Sequence, residues 1–315
     1  MTRRRREKDF LDVFPNELLL MIKARIAETD LRTHVCFYNS STRIAGMYGN
    51  VWEQEEYWKK LCWLNGLGLL PGESCKSVSW KQIAFECVED DGFCDLPDCG
   101  GNALVKNVAL MAAADYNLER PTQALAHKEG GPDLDCSPLL SHIKFRSNQE
   151  WSWRMKPDYD AQLYVRPSEA QSSWGRRLHA HPIACRSFAT FPPIQRLNFS
   201  ELYGLEFHPT KRTTGVTVWD VQSTLQKKLD TGILASGVAE FLEWHETNVP
   251  KHWDVRTMLN ELCTLRGMLS VVRWDGMEIS IDDDDDGPYF VIELVRIERD
   301  DDDDESDDEY SDISC

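Results

Sequence analysis

Apolar residues recur at helical spacing in the first sixty or so positions of the chain. Leu18, Ile22 and Ile26 follow one another every four residues, and Leu19 stands beside them. This spacing predicts a helix over about 15–27. Pro15 suits its first turn, because the N–H group that proline lacks has no partner there.

Three more short helices are predicted in the same region. Thr29-Asp30 offers N-cap side chains for a second helix, which carries Leu31 and Val35, and Ser40-Ser41 offers them for a third. A fourth is expected over 53–62. Helices this short cannot bury all of their apolar faces against one another, so part of the surface needs a partner.

These residues resemble the F-box, a module of ubiquitin-ligase subunits. The matching elements are Phe14-Pro15-x-Glu17-Leu18-Leu19-x-x-Ile22, Asp30-Leu31, Ser40 with Arg43, and Trp58-Lys59-x-Leu61. The resemblance implies that the helices bind a Skp-type adaptor and, through it, a cullin and a RING subunit. The adaptor-binding residues it implies are Phe14, Pro15, Leu18, Leu19, Ile22, Leu31 and Val35.

The chain departs from the F-box pattern after the second helix. The family commonly has a lysine and a tryptophan there, whereas this chain has residues 37–41, and residues 46–50 lengthen the approach to Trp52. The alternative interpretation is an ordinary helical subdomain whose leucines form an internal core.

The rest of the chain alternates between helical and strand-like patterns. Helices are predicted over 80–88 and 102–117, and residues 120–175 favour irregular structure because they are rich in Pro, Gly, Ser and Asp. Asp220 is expected to cap a helix that carries Val221, Leu225 and Leu229.

Near the end of the chain, three strands are expected to form an antiparallel meander. The first two are predicted over 269–274 and 277–281, on either side of an Asp275-Gly276 turn, and the third over 289–297. The predicted fold class is therefore α+β. Residues 215–221 and the elements after them also resemble a domain of fungal proteins that has no assigned activity, which implies mixed α and β structure and no chemistry.

These patterns divide the chain into six regions. They are a basic disordered leader (1–8), the F-box (9–62), a helical extension (63–118), an irregular linker region (119–187), a mixed α/β domain (188–298) and an acidic disordered tail (299–315).

The net charge of -18 is concentrated in two segments. Residues 300–315 hold ten acidic side chains and no basic one, and five more stand at 282–286, so the remainder carries only -3. A nearly neutral body argues against nucleic-acid binding, which depends on clustered Lys and Arg. Since no apolar stretch of about 18 residues occurs, no membrane contact is expected either, and the protein is expected in the cytoplasm, the nucleus or both.

Two groups of residues invite a metal-site interpretation. Cys87, Cys94 and Cys99 could hold a metal as thiolates, but they lack the CxxC knuckle, so whether they bind one is left open. His179-Ala180-His181 with Cys185 has no carboxylate nearby in sequence. We therefore assign no metal site and expect no cofactor.

No phosphate loop, nucleophile elbow or paired-carboxylate motif is present, so a non-catalytic function is expected. The leading hypothesis is an F-box substrate receptor of a Skp-cullin-F-box ubiquitin ligase, with an unknown protein client on its C-terminal domain. The alternative is an interaction protein, outside any ligase, whose acidic tail binds basic partners.

Overall fold

The computed structural model describes residues 14–74, 76–94, 99–114, 134–144, 164–165, 181–245, 249–280 and 289–296. The predicted basic leader and acidic tail lie outside these residues, as does the aspartate run 282–286. Within them, the mixed helix and sheet content agrees with the predicted α+β class.

Four helices occupy the region that resembles the F-box. They are α1 (Asn16–Arg25), α2 (Leu31–Ser40), α3 (Thr42–Ala45) and α4 (Val51–Leu64). Side-chain caps explain where the last three begin. Asp30 and Ser41 accept hydrogen bonds from N–H groups of α2 and α3, as predicted, and Asn50 forms a capping box with Glu53 at the start of α4.

The helical layer continues through the predicted extension. Helix α5 (Trp80–Glu86) packs on α4 and runs into a single π-helical turn, Cys87–Asp91. Helix α6 (Gly100–Ala113) follows, with Cys99 at its N-cap position.

A short buried segment crosses the middle of the molecule. It begins with α7 (Pro182–Arg186), all of whose residues are buried, and continues in extended form through residue 189. Phe188 N–H donates to the Gly66 carbonyl at 2.8 Å, and Ala189 N–H donates to the Val216 carbonyl at 2.9 Å. Residues 182–187 of this segment belong to the predicted irregular linker and residues 188–189 to the predicted α/β domain, yet the whole segment joins the N-terminal helices to the C-terminal part.

The C-terminal part combines helices with a four-stranded sheet. Its helices are α8 (Val218–Gln226), α9 (Ala235–His245), α10 (Val255–Glu261) and α11 (Leu265–Met268). The first three strands have two residues each: β1 (Asp135–Cys136), β2 (Ile143–Lys144) and β3 (Tyr164–Val165). The remaining strands are β4 (Thr190–Phe191), β5 (Arg196–Phe199), β6 (Thr210–Lys211), β7 (Val272–Ser280) and β8 (Tyr289–Arg296). Outside the four-stranded sheet, β1 pairs with β4 and β2 pairs with β3.

The sheet corrects the predicted meander. Its strand order is β6-β5-β8-β7, with β5 parallel to β8 and the other neighbours antiparallel. Asp275-Gly276 makes no turn. It lies inside the single strand β7, where the register shifts between Trp274 and Gly276. The φ of +131° at Gly276 thus serves a β-bulge rather than a hairpin loop.

A second correction concerns the start of α8. The N-cap is Thr217 rather than Asp220, and Asp220 lies three residues later, where its carboxylate accepts from the Thr217 N–H and hydroxyl at 3.0 and 2.9 Å. Asp220 is therefore the second half of a capping box, a role that the sequence pattern could equally have indicated.

One continuous apolar core runs from the N-terminal helices to the sheet, and a smaller one lies under α9 and α11. No helix in the described part of the chain is both long and apolar enough to cross a membrane.

Candidate functional site

Within the described part of the chain, helix α1 is fixed to the body of the protein along one side. Leu19 is 1% exposed and inserts into the core. On either side of it, Lys23 Nζ donates to the Met47 carbonyl at 2.9 Å and Arg43 Nε donates to Asn16 Oδ1 at 2.7 Å. These contacts set the orientation of the helix.

Another side of α1 presents apolar side chains to solvent. Leu18, Met21 and Ile22 are 43%, 60% and 44% exposed. Their i, i+3 and i+4 spacing places them next to one another on the helix. We call these three residues, with the exposed Pro15 before them, the α1 face. Leu20 is also 49% exposed, but it lies about 200° around the helix from Leu18.

The structure separates the predicted adaptor-binding residues into two groups. Pro15, Leu18 and Ile22 belong to the α1 face, whereas Phe14 is half-buried against the core. The remaining three are only 1% exposed and pack inside the helical layer: Leu19, Leu31 and Val35. Their side chains are therefore out of reach of a partner that binds this conformation. Met21 was missed by the sequence interpretation, although it shares the spacing of Leu18 and Ile22.

An aromatic cluster behind α1 connects the supporting helices. His34 Nδ1 lies 3.0 Å from both the Tyr48 and the Tyr57 hydroxyls, and His34 Nε2 lies 3.2 Å from the Ala27 carbonyl. Tyr48 stacks on Trp58 with ring centroids 5.5 Å apart. Burial lowers the pKa of His34, which favours the neutral ring, and the ring bridges the two hydroxyls and the carbonyl.

A second group of functional side chains lies inside the molecule. Asp91, Cys94, Cys99 and His181 place one donor atom each within 4.8 Å of all the others. Asp91 ends the π-helical turn, Cys99 precedes α6 and His181 precedes α7. Three of the four are buried, and Cys94 is half-buried. We call this group the Asp-Cys-Cys-His cluster.

Three of its donor atoms meet at one point. His181 Nδ1 is 2.8 Å from both Asp91 Oδ1 and Cys99 Sγ, and Cys99 Sγ is 3.1 Å from Asp91 Oδ1. Burial, followed by the negative charge of Asp91, raises the pKa of the Cys99 thiol. The second carboxylate oxygen of Asp91 is held from outside the cluster, because it accepts from the Ile183 N–H at 3.2 Å.

Gly100 makes this close approach possible. Its φ is +54°, and a Cβ atom there would lie 2.5 Å from the Asp91 carbonyl oxygen and 2.8 Å from that of Cys94. Any other residue would push Cys99 away from Asp91. The cluster thus depends on a backbone position that only glycine fills without strain.

The sequence interpretation found part of this cluster. Cys94 and Cys99 come together as considered, but Cys87 does not join them, since it is buried in the π-helical turn next to Cys62. His181 comes from the other weak candidate group, whereas Cys185 points elsewhere and donates to the Pro182 carbonyl. His179 lies outside the described residues.

Asp91 was not considered at all. Its spacing, Asp91-x2-Cys94, is that of a zinc knuckle with a carboxylate in place of one cysteine, and this spacing was the signal available in the sequence.

Comparison of the chain with protein-family models, with curated proteins and with solved structures finds no match.

Proposed function

We propose that this chain is an F-box-type substrate receptor, which binds a Skp-type adaptor through its N-terminal helices and a protein client through its C-terminal part. The observation that carries the proposal is the α1 face. An anchored helix that keeps Leu18, Met21 and Ile22 partly in water loses the free energy that their full burial would supply, roughly 1 kcal/mol for each of these half-exposed side chains. A protein partner that covers them recovers it.

The proposal is narrower than the resemblance alone implies. Pro15, Leu18, Met21 and Ile22 contact the adaptor, and Phe14 supports them from below. Leu19, Leu31 and Val35 act indirectly, because they hold α1 and α2 in place. The chain contributes proximity between client and ligase, and ubiquitin transfer takes place on other subunits.

The test is co-expression of the full chain with a Skp-type adaptor and measurement of its affinity. Leu18→Glu places a charge in the centre of the α1 face, and we expect it to weaken binding by roughly 30-fold or more, as for a hot-spot residue. Leu20→Glu is the matched control, since it makes the same change at similar exposure on the other side of the same helix. It should bind as the wild type does.

Two results would contradict the proposal. One is a folded wild-type chain that does not bind the adaptor, and the other is equal loss of binding in Leu18→Glu and Leu20→Glu. Thermal melts of both variants establish that they remain folded.

The alternative function rests on the charge of the C-terminal residues. The ten acidic side chains at 300–315 suit a basic protein partner. On this hypothesis, deletion of 299–315 abolishes partner binding and added salt weakens it steeply. On the F-box hypothesis, the same deletion leaves adaptor binding unchanged.

A further inference from the structure

We propose that the Asp-Cys-Cys-His cluster is a structural zinc site, with Asp91, Cys94, Cys99 and His181 as its four ligands. The donor set is one carboxylate oxygen, two sulfurs and one imidazole nitrogen, all within 4.8 Å of one another. Zinc in structural sites takes four such ligands in a tetrahedral arrangement. This inference is independent of the proposed adaptor binding.

Hydrogen bonds alone satisfy the cluster poorly. Asp91 Oδ1 can accept one proton from the Cys99 thiol and one from His181 Nδ1. The 2.8 Å contact between Cys99 Sγ and His181 Nδ1 then has no proton in it. In that tautomer the other ring nitrogen, Nε2, is an acceptor, and it is buried without a partner among the described residues.

A cation at the centre removes this conflict. It gives all three converging atoms a common partner and lets the Cys99 sulfur be a thiolate, while the proton of the ring moves to Nε2. Leaving that N–H buried and unpaired costs free energy. A coordination bond at Nδ1 is strong enough to outweigh this cost, whereas a shared hydrogen bond is not.

The donor chemistry and the spacing favour zinc over other common cations. Thiolate ligands disfavour magnesium and calcium, which prefer oxygen. Metal–ligand bonds of about 2.0 to 2.3 Å place tetrahedral ligand atoms about 3.3 to 3.8 Å apart. The three closest atoms, now 2.8 to 3.1 Å apart, need to separate by less than about 1 Å to reach this geometry.

The same residues do not form a catalytic cysteine site. In a Cys-His-Asp triad the carboxylate holds one ring nitrogen and the thiol faces the other. Here Asp91 and Cys99 both contact Nδ1 of His181. Cys99 is also fully buried, so a substrate cannot reach its sulfur.

The position of the site indicates what the metal does. Asp91, Cys94 and Cys99 come from the junction of α5 and α6, and His181 stands 82 residues after Cys99, at the start of the buried segment that crosses the molecule. Zinc here closes a long loop and fixes α7 against the helical layer. Since the protein supplies all four ligands, no position is left for a substrate.

The experiment is metal analysis of the full chain, purified without chelator from zinc-supplemented medium. We expect one zinc ion per chain. Cys94→Ser changes the least buried of the four ligands, and it should lower zinc affinity by more than the roughly 10- to 100-fold typical of residues that only support a ligand. Cys87→Ser is the matched control, because Cys87 is a buried thiol four residues before Asp91 that is not a donor. It should keep its zinc.

A spectroscopic measurement protects the test against variants that fail to fold. Wild-type protein loaded with Co²⁺ should show the intense visible absorption of tetrahedral cobalt bound to thiolates. Folded wild-type protein that holds no zinc and gives no such spectrum would overturn the proposal. So would a folded Cys87→Ser variant that loses zinc as completely as Cys94→Ser.

Discussion

The α1 face and the Asp-Cys-Cys-His cluster violate the usual distribution of side chains in opposite directions. The α1 face holds apolar residues in water, with Met21 60% exposed. The cluster holds a carboxylate, a thiol and an imidazole in the interior, with Cys99 and His181 at 0% exposure and the partly buried Cys94 thiol beside them. Each arrangement costs free energy unless something outside the chain compensates for it.

The difference lies in the kind of partner that each region lacks. The exposed apolar surface of the fixed helix α1 needs a partner that buries it over a large contact area, and a protein can provide such an area. The converging donor atoms of the buried cluster need a positive charge to bind, and a cation can provide it.

The ion pair of Arg186 with Glu73, which we call the Arg186 site, is a reference within the same molecule, because there the chain itself neutralises a buried charge. Arg186 is 2% exposed, and its guanidinium donates to both oxygens of Glu73 at 2.6 and 2.8 Å.

The largest effect is expected from metal removal. If zinc is present at about 1,000 times its dissociation constant, it stabilises the fold by about 4 kcal/mol. A chelator should then lower Tm by about 8 to 16 °C, since 1 kcal/mol corresponds to about 2 to 4 °C in domains of 150 to 250 residues. Differential scanning fluorimetry with and without chelator measures this.

Added Zn²⁺ should restore the lost Tm and Mg²⁺ should not. A chelator should have no effect on Cys94→Ser beyond what the substitution itself causes. An unchanged Tm of the wild type would mean that the cluster, like the Arg186 site, is compensated by the chain alone.

Two adjacent leucines of α1, one buried and one exposed, test the contrast between the core and the α1 face. Leu19→Ala removes a core side chain and should lower the free energy of unfolding by about 2 to 5 kcal/mol. Leu18→Ala removes the same atoms from the α1 face and should change it by less than about 0.5 kcal/mol. Urea unfolding of the isolated chain gives both values. Equal losses would show that the α1 face is covered by the chain itself.

A smaller, pH-dependent effect is expected at the Arg186 site. Burial opposes ionisation of Glu73, but the hydrogen bonds from Arg186 and from the Leu70 N–H outweigh it, so the pKa of Glu73 is lowered. A lowered pKa in the folded state means that the stabilisation is complete above the unfolded value of about 4.3 and is lost as pH falls through the folded value.

Glu73→Gln should therefore lower the free energy of unfolding by about 2 kcal/mol at pH 7, and its stability should fall less than that of the wild type between about pH 5 and 3. Chemical denaturation at several pH values is the measurement. Glu86→Gln is the comparison, since Glu86 makes a single contact with Arg186 at 3.3 Å and should matter less at pH 7. Parallel acid profiles for the wild type and Glu73→Gln would contradict the assignment.

Local chemistry made the N-terminal helices predictable. The caps at Asp30 and Ser41 and the four-residue spacing of the leucines are determined by neighbours in sequence, and the structure contains the corresponding helices. It was harder to predict which side chains of α1 are buried, because a stripe of leucines does not reveal which leucine faces the core. That depends on where α1 is anchored, as Lys23 and Arg43 show.

Features that depend on contacts between distant parts of the chain could not be predicted from the sequence. Asp275-Gly276 has the composition of a hairpin turn, and only the pairing of β7 with β8 shows that it is a bulge. His181 is 90 residues from Asp91, so no local spacing could join them. The same limit applies to α7, whose five residues fall in the predicted linker because their burial comes from contacts with the π-helical turn, α6 and α8.

The continuous core bears on how this protein can be dissected. Gly68 N–H donates to the Arg186 carbonyl and Val218 N–H donates to the Ser187 carbonyl, both at 2.8 Å, so the crossing segment is bonded on both sides. A fragment that ends near residue 62 would leave Leu61 and Trp58 without the packing they have in the full chain. The N-terminal helices are consequently not a transplantable module. If α1 binds an adaptor as proposed, the described N-terminal and C-terminal parts would move together with it, and the fold rather than a hinge would set the orientation of a bound client.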